Sequence, residues 1–337
     1  MLSLLLFAAL ALTAPLEKRQ APSGVPAFAV TYAPVAYLHS QEQYFPSDIG
    51  SQLAHTEPRV NYTLITNISD PLSLDNLDQL NQFGRGGQDV YLTSVDDIET
   101  NPVWLDGVKP DSNGLTDGAI SSAVIVNDHK DGVVDVFYFY FYAYDFGGVY
   151  FNRNIGNHVG DWEYTMVRFR SGKPKAIWYS QHSNGQAFKY PVVEKYNGGS
   201  RPVVYVANGT HANYAVSGTH DHTIPNINLP NGAVQDYTDK GAFWDPIASA
   251  YWFSYDASNG VFTAYDGSTP TNWLKYLGRW GDKQYADSDP RQEDILDIPG
   301  LYKYTNGPTG PEDKQLNRTK VCPDNGNLCI VRFVLGP

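Results

Sequence analysis

One stretch, D-F-G-G-V-Y-F-N-R-N-I-G-N-H-V-G-D-W-E (Asp145 to Glu163), concentrates the side chains that bind cations: Asp145, His158, Asp161 and Glu163. Alternate residues of a strand share a face, so Asp161 and Glu163 project together from the segment D-W-E-Y-T-M-V-R-F. On the preceding aromatic segment D-V-F-Y-F-Y-F-Y-A-Y, one face carries Asp135, Phe137, Phe139, Phe141 and Ala143 and runs on to Asp145. If the two segments pair, carboxylates and the His158 imidazole gather at one end of a sheet. Carboxylates packed so closely repel one another unless a cation neutralises them. The functional reading of this spacing is a metal site of Asp145, His158, Asp161 and Glu163. The plainer alternative is a solvated strand face with His158 capping a loop.

Two further histidines follow strand-like segments: His182 in Y-S-Q-H-S-N-G and His211 in V-A-N-G-T-H-A-N-Y. Loops at strand ends present groups to solvent from a rigid base. On the same rim as His158, either histidine could serve as acid, base or ligand; the alternative is backbone hydrogen bonding within tight loops. His220 and His222 of G-T-H-D-H-T sit in a polar loop, where simple solvation is expected. No G-x-S-x-G, H-E-x-x-H, P-loop or dinucleotide fingerprint occurs, which leaves carboxylate, histidine or tyrosine chemistry if the protein is an enzyme. A hydrolase or lyase acting on carbohydrate through His182 or His211 fits that palette. Binding without catalysis fits it equally.

The elements that must hold these groups are mainly strands. The chain has 337 residues, with 24 Tyr, 15 Phe and 7 Trp, and turn residues punctuate it closely. That pattern predicts a mainly β protein, an antiparallel β-sandwich of jelly-roll type with a few short helices and long loops. Strands are expected at 123–126, 133–144 and 161–170, and in K-A-I-W-Y-S and R-P-V-V-Y-V-A. A-F-A-V-T-Y-A-P-V-A-Y-L-H-S reads as a broken strand, and a short helix capped by Ser47 or Asp48 follows Pro46. Leu74, Leu77, Leu80 and Phe83 have helical spacing after Ser73. Residues 88–118 read as irregular and 215–241 as a surface excursion. The stretch with Trp244, Trp252, Trp273 and Trp280 reads as an elaboration packed on the sandwich.

Residues 1–14 read as a signal peptide and residues 15–19 as a short propeptide ending in Lys18-Arg19, with a single domain over 20–337. Sequons at Asn61, Asn67, Asn208 and Asn317 agree with secretion. Cys322 and Cys329, around a Pro-Asp-Asn-Gly turn, suit a small disulfide loop worth roughly 2–3 kcal/mol. The net charge of -12 argues against a nucleic-acid partner and against electrostatic attachment to an anionic membrane. No stretch has the length and apolarity of a transmembrane helix. A monomer is expected.

Y-F-P-S-D-I, the aromatic strand, N-H-V-G-D-W-E, Y-S-Q-H-S-N-G, V-Y-V-A-N-G-T-H-A-N-Y, W-D-P and G-R-W-G-D, in this order, resemble the vacuolar protein sorting-associated family numbered sixty-two. That family is named for a sorting phenotype, so the resemblance implies a vacuolar or secretory setting rather than a reaction. N-H-V-G-D-W-E also looks like the G-H-R-H-D-W-E heptapeptide of necrosis- and ethylene-inducing-like proteins, secreted β-sandwich cytolysins that hold a divalent cation. Matched by residue, that likeness places the ligands on Asp145, His158, Asp161 and Glu163. Asn157, Val159 and Gly160 depart from the heptapeptide, so it implies the metal site rather than cytolysis. Oxygen-rich ligands with one imidazole suit Mg²⁺, Ca²⁺ or Mn²⁺ better than Zn²⁺. The resulting expectation is a secreted metal-binding protein recognising a glycan or glycolipid head group.

Overall fold

The computed structural model describes residues 20–336 except 70, 151, 222–231, 296–297 and 299. The expected signal peptide, the Lys18-Arg19 site and His222 lie outside the described residues.

The strands that position the site are β1 (Val35–Tyr37), β2 (Ser122–Asp128), β3 (Val133–Asp145), β4 (His158–Arg170), β5 (Lys173–Gln181) and β6 (Asn184–Lys189). They continue with β7 (Val203–Val206), β8 (Asn213–Tyr214), β9 (Phe243–Trp244), β10 (Ala250–Asp256), β11 (Val261–Ala264) and β12 (Val331–Arg332). Eight of them form one sheet in the order β11-β10-β2-β3-β4-β5-β6-β12; a four-stranded sheet runs β8-β7-β1-β9. Most neighbours are antiparallel, while β2 and β10, β1 and β7, and β6 and β12 pair in parallel. The protein is thus mainly β, an antiparallel-rich sandwich with short helices.

The aromatic strand β3 divides its rings by chemistry. Phe137, Phe139 and Phe141 enter one core with Trp162, Tyr164 and Met166. Tyr138, Tyr140 and Tyr142 enter the other, beneath Ala36, Leu38, Val204 and Val206 of the smaller sheet. On the tyrosine side, Tyr138 donates to the Ala29 carbonyl at 2.7 Å and the Tyr140 hydroxyl meets Thr165 Oγ1 at 2.7 Å. A one-residue slip would bury those hydroxyls among phenylalanines and tryptophans, so the pattern fixes the register. Each of these buried rings contributes roughly 1.5–3 kcal/mol. β3 and β4 are therefore the rigid base of the fold.

On the phenylalanine side, Trp162, Trp273 and Trp280 interlock, with ring centroids 5.4 to 5.9 Å apart. Leu74, Leu77 and Leu80 pack into this core. Their element is a 3-10 helix, Leu77–Gln82, rather than an α-helix. Their spacing of three explains it, because residues three apart eclipse along a 3-10 helix. The helix expected after Pro46 is likewise a 3-10 turn, Ser51–Ala54, with Asp48 accepting from the Ser51 backbone N–H at 2.8 Å. The broken strand before Pro34 is instead an α-helix, Ala27–Thr31, followed by β1.

Within the stretch read as irregular, Val90–Ser94 is a strand paired with Thr56–Val60. The excursion 215–241 contains a hairpin, Gly218–Asp221 with Gln235–Thr238. Cys322 and Cys329 are joined by a disulfide in the C-terminal segment. Asn61, Asn67 and Asn317 are exposed, and Asn208 is half-buried.

Candidate functional site

β3 and β4 bring Asp145 opposite His158, Tyr142 opposite Asp161 and Tyr140 opposite Glu163. Strict alternation would place Asp161 and Glu163 on the tyrosine face and send Asp145 and His158 to the other. Gly160 lies between His158 and Asp161 at φ +68°, a left-handed conformation that interrupts the strand pattern. A Cβ there would also stand 2.1 Å from the Trp280 carbonyl oxygen. Only glycine satisfies both conditions, and past this break the Asp145 and Asp161 side chains converge.

Asp145, Asp161 and His211 are buried and offer ligand atoms that all lie within 4.8 Å of one another, so this group could hold a metal ion. His158 sits beside it, with Nε2 3.8 Å from Asp145 Oδ2 and Nδ1 2.7 Å from the Gly160 carbonyl oxygen. Glu163 lies on the same strand, and its oxygens are already engaged. Oε1 accepts from the His182 backbone N–H at 2.9 Å, and Oε2 accepts from the Ser180 hydroxyl.

His211 is the informative member. Its Nε2 lies 2.9 Å from the Tyr44 carbonyl oxygen, an acceptor only, so that nitrogen carries the proton of the neutral ring. Nδ1 then turns a lone pair toward Asp161 Oδ2 at 3.1 Å. Two acceptors face each other, and only a second proton or a cation between them relieves the contact. Tyr142 holds the ring in this pose by stacking on it at 3.7 Å and 1°. The Tyr142 hydroxyl is buried and, among the described residues, has no hydrogen-bond partner.

The electrostatics agree. Burial pushes Asp145 well above the carboxylate range, and Asp161, Asp236, Glu163 and Glu42 add repulsion. Burial and then Asp161 push Glu163 up to about 8. Burial disfavours the charged form of His211, but the hydrogen bond to Asp161 and the charges of Glu42 and Asp161 outweigh it and raise its pKa. His158, by contrast, is lowered by burial. A cluster with this many buried acids and several imidazoles has the donor chemistry of a divalent-cation site.

His182 occupies a two-residue loop between β5 and β6 at φ +57°, and His211 has φ +54°. Both histidines thus hold a backbone conformation that side-chain-bearing residues rarely adopt, of the kind that gathers at functional sites. His182 Nε2 meets Asp236 Oδ2 at 2.9 Å. Asp236 also accepts from Thr210 Oγ1 at 2.7 Å and from the Tyr214 hydroxyl at 2.6 Å. Asp145 and His182 both line a cavity of about 140 Å³ with walls that include Tyr150, Ile155, Leu301 and Tyr302.

Sequence reasoning missed Glu42 and Asp236. Glu42 is buried behind His211, with its carboxylate taking the backbone N–H groups of Gln43, Tyr44 and Gly209. Asp236 is delivered by the hairpin inside the supposed surface excursion; the alternation of Asp236 with Thr238 was its only local signal. His220 is buried rather than solvated, stacked on Tyr214 at 3.7 Å with Nε2 3.0 Å from Thr238 Oγ1. It is the cross-strand neighbour of Asp236.

The sequence pattern of the family described as vacuolar protein sorting-associated protein 62 matches residues 148–305. A Saccharomyces cerevisiae protein provisionally named vacuolar protein sorting-associated protein TDA6 is 34% identical over 328 residues, covering 89% of this chain and 69% of its own length. Vacuolar protein sorting-associated protein 62 of the same yeast is 33% identical over 323 residues, covering 88% and 68%. Among solved structures, NLPPya in complex with mannosamine is similar at 13% identity and a TM-score of 0.32, covering 71% of this chain and 79% of that one. The non-toxic HaNLP3 protein is similar at 12% identity and a TM-score of 0.31 over the same shares. Among the described residues, no helix is long and apolar enough to cross a membrane.

Proposed function

The chain belongs to the vacuolar protein sorting-associated protein 62 family, and from that premise we propose that it is a metal-binding β-sandwich whose rim recognises a glycan or glycolipid head group. The convergence of Asp145, Asp161 and His211, with His211 Nδ1 3.1 Å from Asp161 Oδ2, is the observation that carries this reading. His158 and Glu163 complete the ligand set, directly or through water. Mg²⁺, Ca²⁺ and Mn²⁺ match the oxygen-rich donors. When bound, the ion supplies positive charge to which ligand hydroxyls or anionic oxygens can attach. The adjoining cavity, with its tyrosines and aliphatic side chains, suits the faces of a sugar ring. The protein acts outside the cytosol, secreted or in the vacuole; its exposed sequons and its disulfide support that location.

Elemental analysis before and after chelation tests the site. Wild-type protein is expected to carry a stoichiometric divalent ion that the Asp161→Asn, Glu163→Gln double variant lacks. Equal ion content in the two proteins would remove the basis of the proposal.

A catalytic reading has its own support, the His182–Asp236 pair at the cavity wall, which orients an imidazole as acid–base pairs require. Incubation with cell-wall polysaccharides separates the two. New reducing ends or unsaturated products that disappear in His182→Ala indicate an enzyme, and binding without products indicates a lectin-like protein.

A further inference from the structure

The long strand pair β3–β4 has a second charged end. Asp145 faces His158 at one end, and Val133 faces Arg170 at the other. There β4 turns into β5 through R-F-R-S-G-K-P-K (Arg168 to Lys175), four cations and no acid in a chain of net charge -12. Ser171 and Gly172, at φ +48° and +71°, make the tight two-residue turn of a hairpin, which sets Arg170 directly opposite Lys173. Like charges in that relation repel. The register then slips between Pro174 and Ala176, so Lys175 has no partner on β4. Bulges of this kind re-aim a side chain. Lys175 and Arg170 both line a cavity of about 280 Å³. The turn is also tied down, because the Ser171 N–H donates to the Gly132 carbonyl oxygen of the neighbouring hairpin at 2.9 Å.

The cations around this cavity divide into committed and uncommitted ones. Arg168 and His129 line it too, but both are engaged with the buried Asp135. Arg168 also donates to the carbonyl oxygens of Arg318 and Thr319, which leaves one of its five N–H groups, on Nη1. Arg170 and Lys175 are exposed, and among the described residues neither side chain makes an ion pair or a hydrogen bond. Asp131 is the one carboxylate among the described lining residues. It is exposed, accepts from the Val133 N–H at 2.9 Å, and pairs with no cation among the described residues. The hairpin therefore gathers positive charge that its own surroundings do not neutralise.

We infer that this cavity is an anion site, separate from the carboxylate cluster, that takes a phosphate monoester. Such a group carries close to two negative charges at neutral pH and three terminal oxygens. It can engage the Arg170 fork, the Lys175 ammonium and the remaining Arg168 N–H together, where a carboxylate offers two oxygens and a single charge. A bound dianion also relieves the repulsion between Arg170 and Lys173.

Calorimetry on the full chain at fixed ionic strength, with inorganic phosphate as the probe, tests the site. The Arg170→Ser, Lys175→Ser double variant is expected to bind phosphate about tenfold more weakly than wild type, or worse. Lys130→Ser removes a neighbouring cation that lies 3.8 Å from Asp128, and it should bind as wild type does. Near-ultraviolet circular dichroism shows that the variants fold. Prior chelation should leave the affinity unchanged, which separates this site from phosphate held by a metal. Phosphatidylcholine vesicles with and without phosphatidic acid distinguish the sources of the group. Retention only with phosphatidic acid assigns it to a lipid, and binding of glucose 6-phosphate without retention assigns it to a soluble ester. No phosphate binding, equal affinity in the double variant, an equal loss in Lys130→Ser, or loss on chelation would overturn the site.

Discussion

Two buried aspartates sit ten residues apart on one strand and meet opposite fates. At the start of β3, Asp135 is fully buried and receives Arg168 through Nε at 2.7 Å and Nη2 at 2.6 Å, with His129 Nε2 at 2.9 Å. At the other end, Asp145 is almost as deeply buried, yet its near neighbours are Asp161, Asp236, Glu163 and Glu42, and its nearest imidazole nitrogen, on His158, is 3.8 Å away. Burying a carboxylate costs several kcal/mol unless a partner repays it. The chain itself supplies that partner for Asp135. Among the described residues Asp145 has no such cationic partner in contact, which is the difference a bound cation or a retained proton would make good.

The contrast can be broken at either end. Arg168→Met strands Asp135 without its guanidinium and should cost about 3–5 kcal/mol in urea unfolding, the largest effect expected of a substitution. A loss under 1 kcal/mol would mean that Asp135 is not compensated as its contacts indicate.

The acidic end predicts a pH trend. Glu163 titrates at about 8 in the folded chain and near 4.5 when unfolded, so between those values the folded state holds the extra proton. Stability of the chelated protein is then fully present below pH 4.5 and lost as pH rises toward 8, by about 5 kcal/mol at most. Added Mn²⁺ should flatten the decline, because it binds the deprotonated cluster more tightly as pH rises. Thermal unfolding across that range, with and without chelator, reads both slopes.

The smallest expected change has an unusual sign. Asp145→Asn should stabilise the chelated protein by about 1 kcal/mol, since it removes an uncompensated charge. The same variant should be less stable than wild type once Mn²⁺ is present. Destabilisation under both conditions would show that Asp145 is a structural residue like Asp135.

The strand pair was legible in the sequence because Phe137 to Tyr142 alternate without interruption, and burial of both faces makes that alternation decisive. The short helical turns were legible as helical, but the spacing of Leu74, Leu77 and Leu80 fits a 3-10 helix as well as an α-helix, and packing chose between them. Asp145, His158, Asp161 and Glu163 could be singled out by type and proximity along the chain. The approach of Asp145 to Asp161, with His211 as the third member, could not follow from alternation.

The sequence by itself determined the aromatic β base, its register and the residue types at one end of it, because side-chain alternation and burial are local properties of a strand. Only the tertiary structure decided which groups share the cluster with them. Glu42 comes from before the large sheet, His211 from the loop between β7 and β8, and Asp236 from a distant hairpin. Their arrival depends on how loops far apart in sequence pack together, and no periodicity along the chain records that packing.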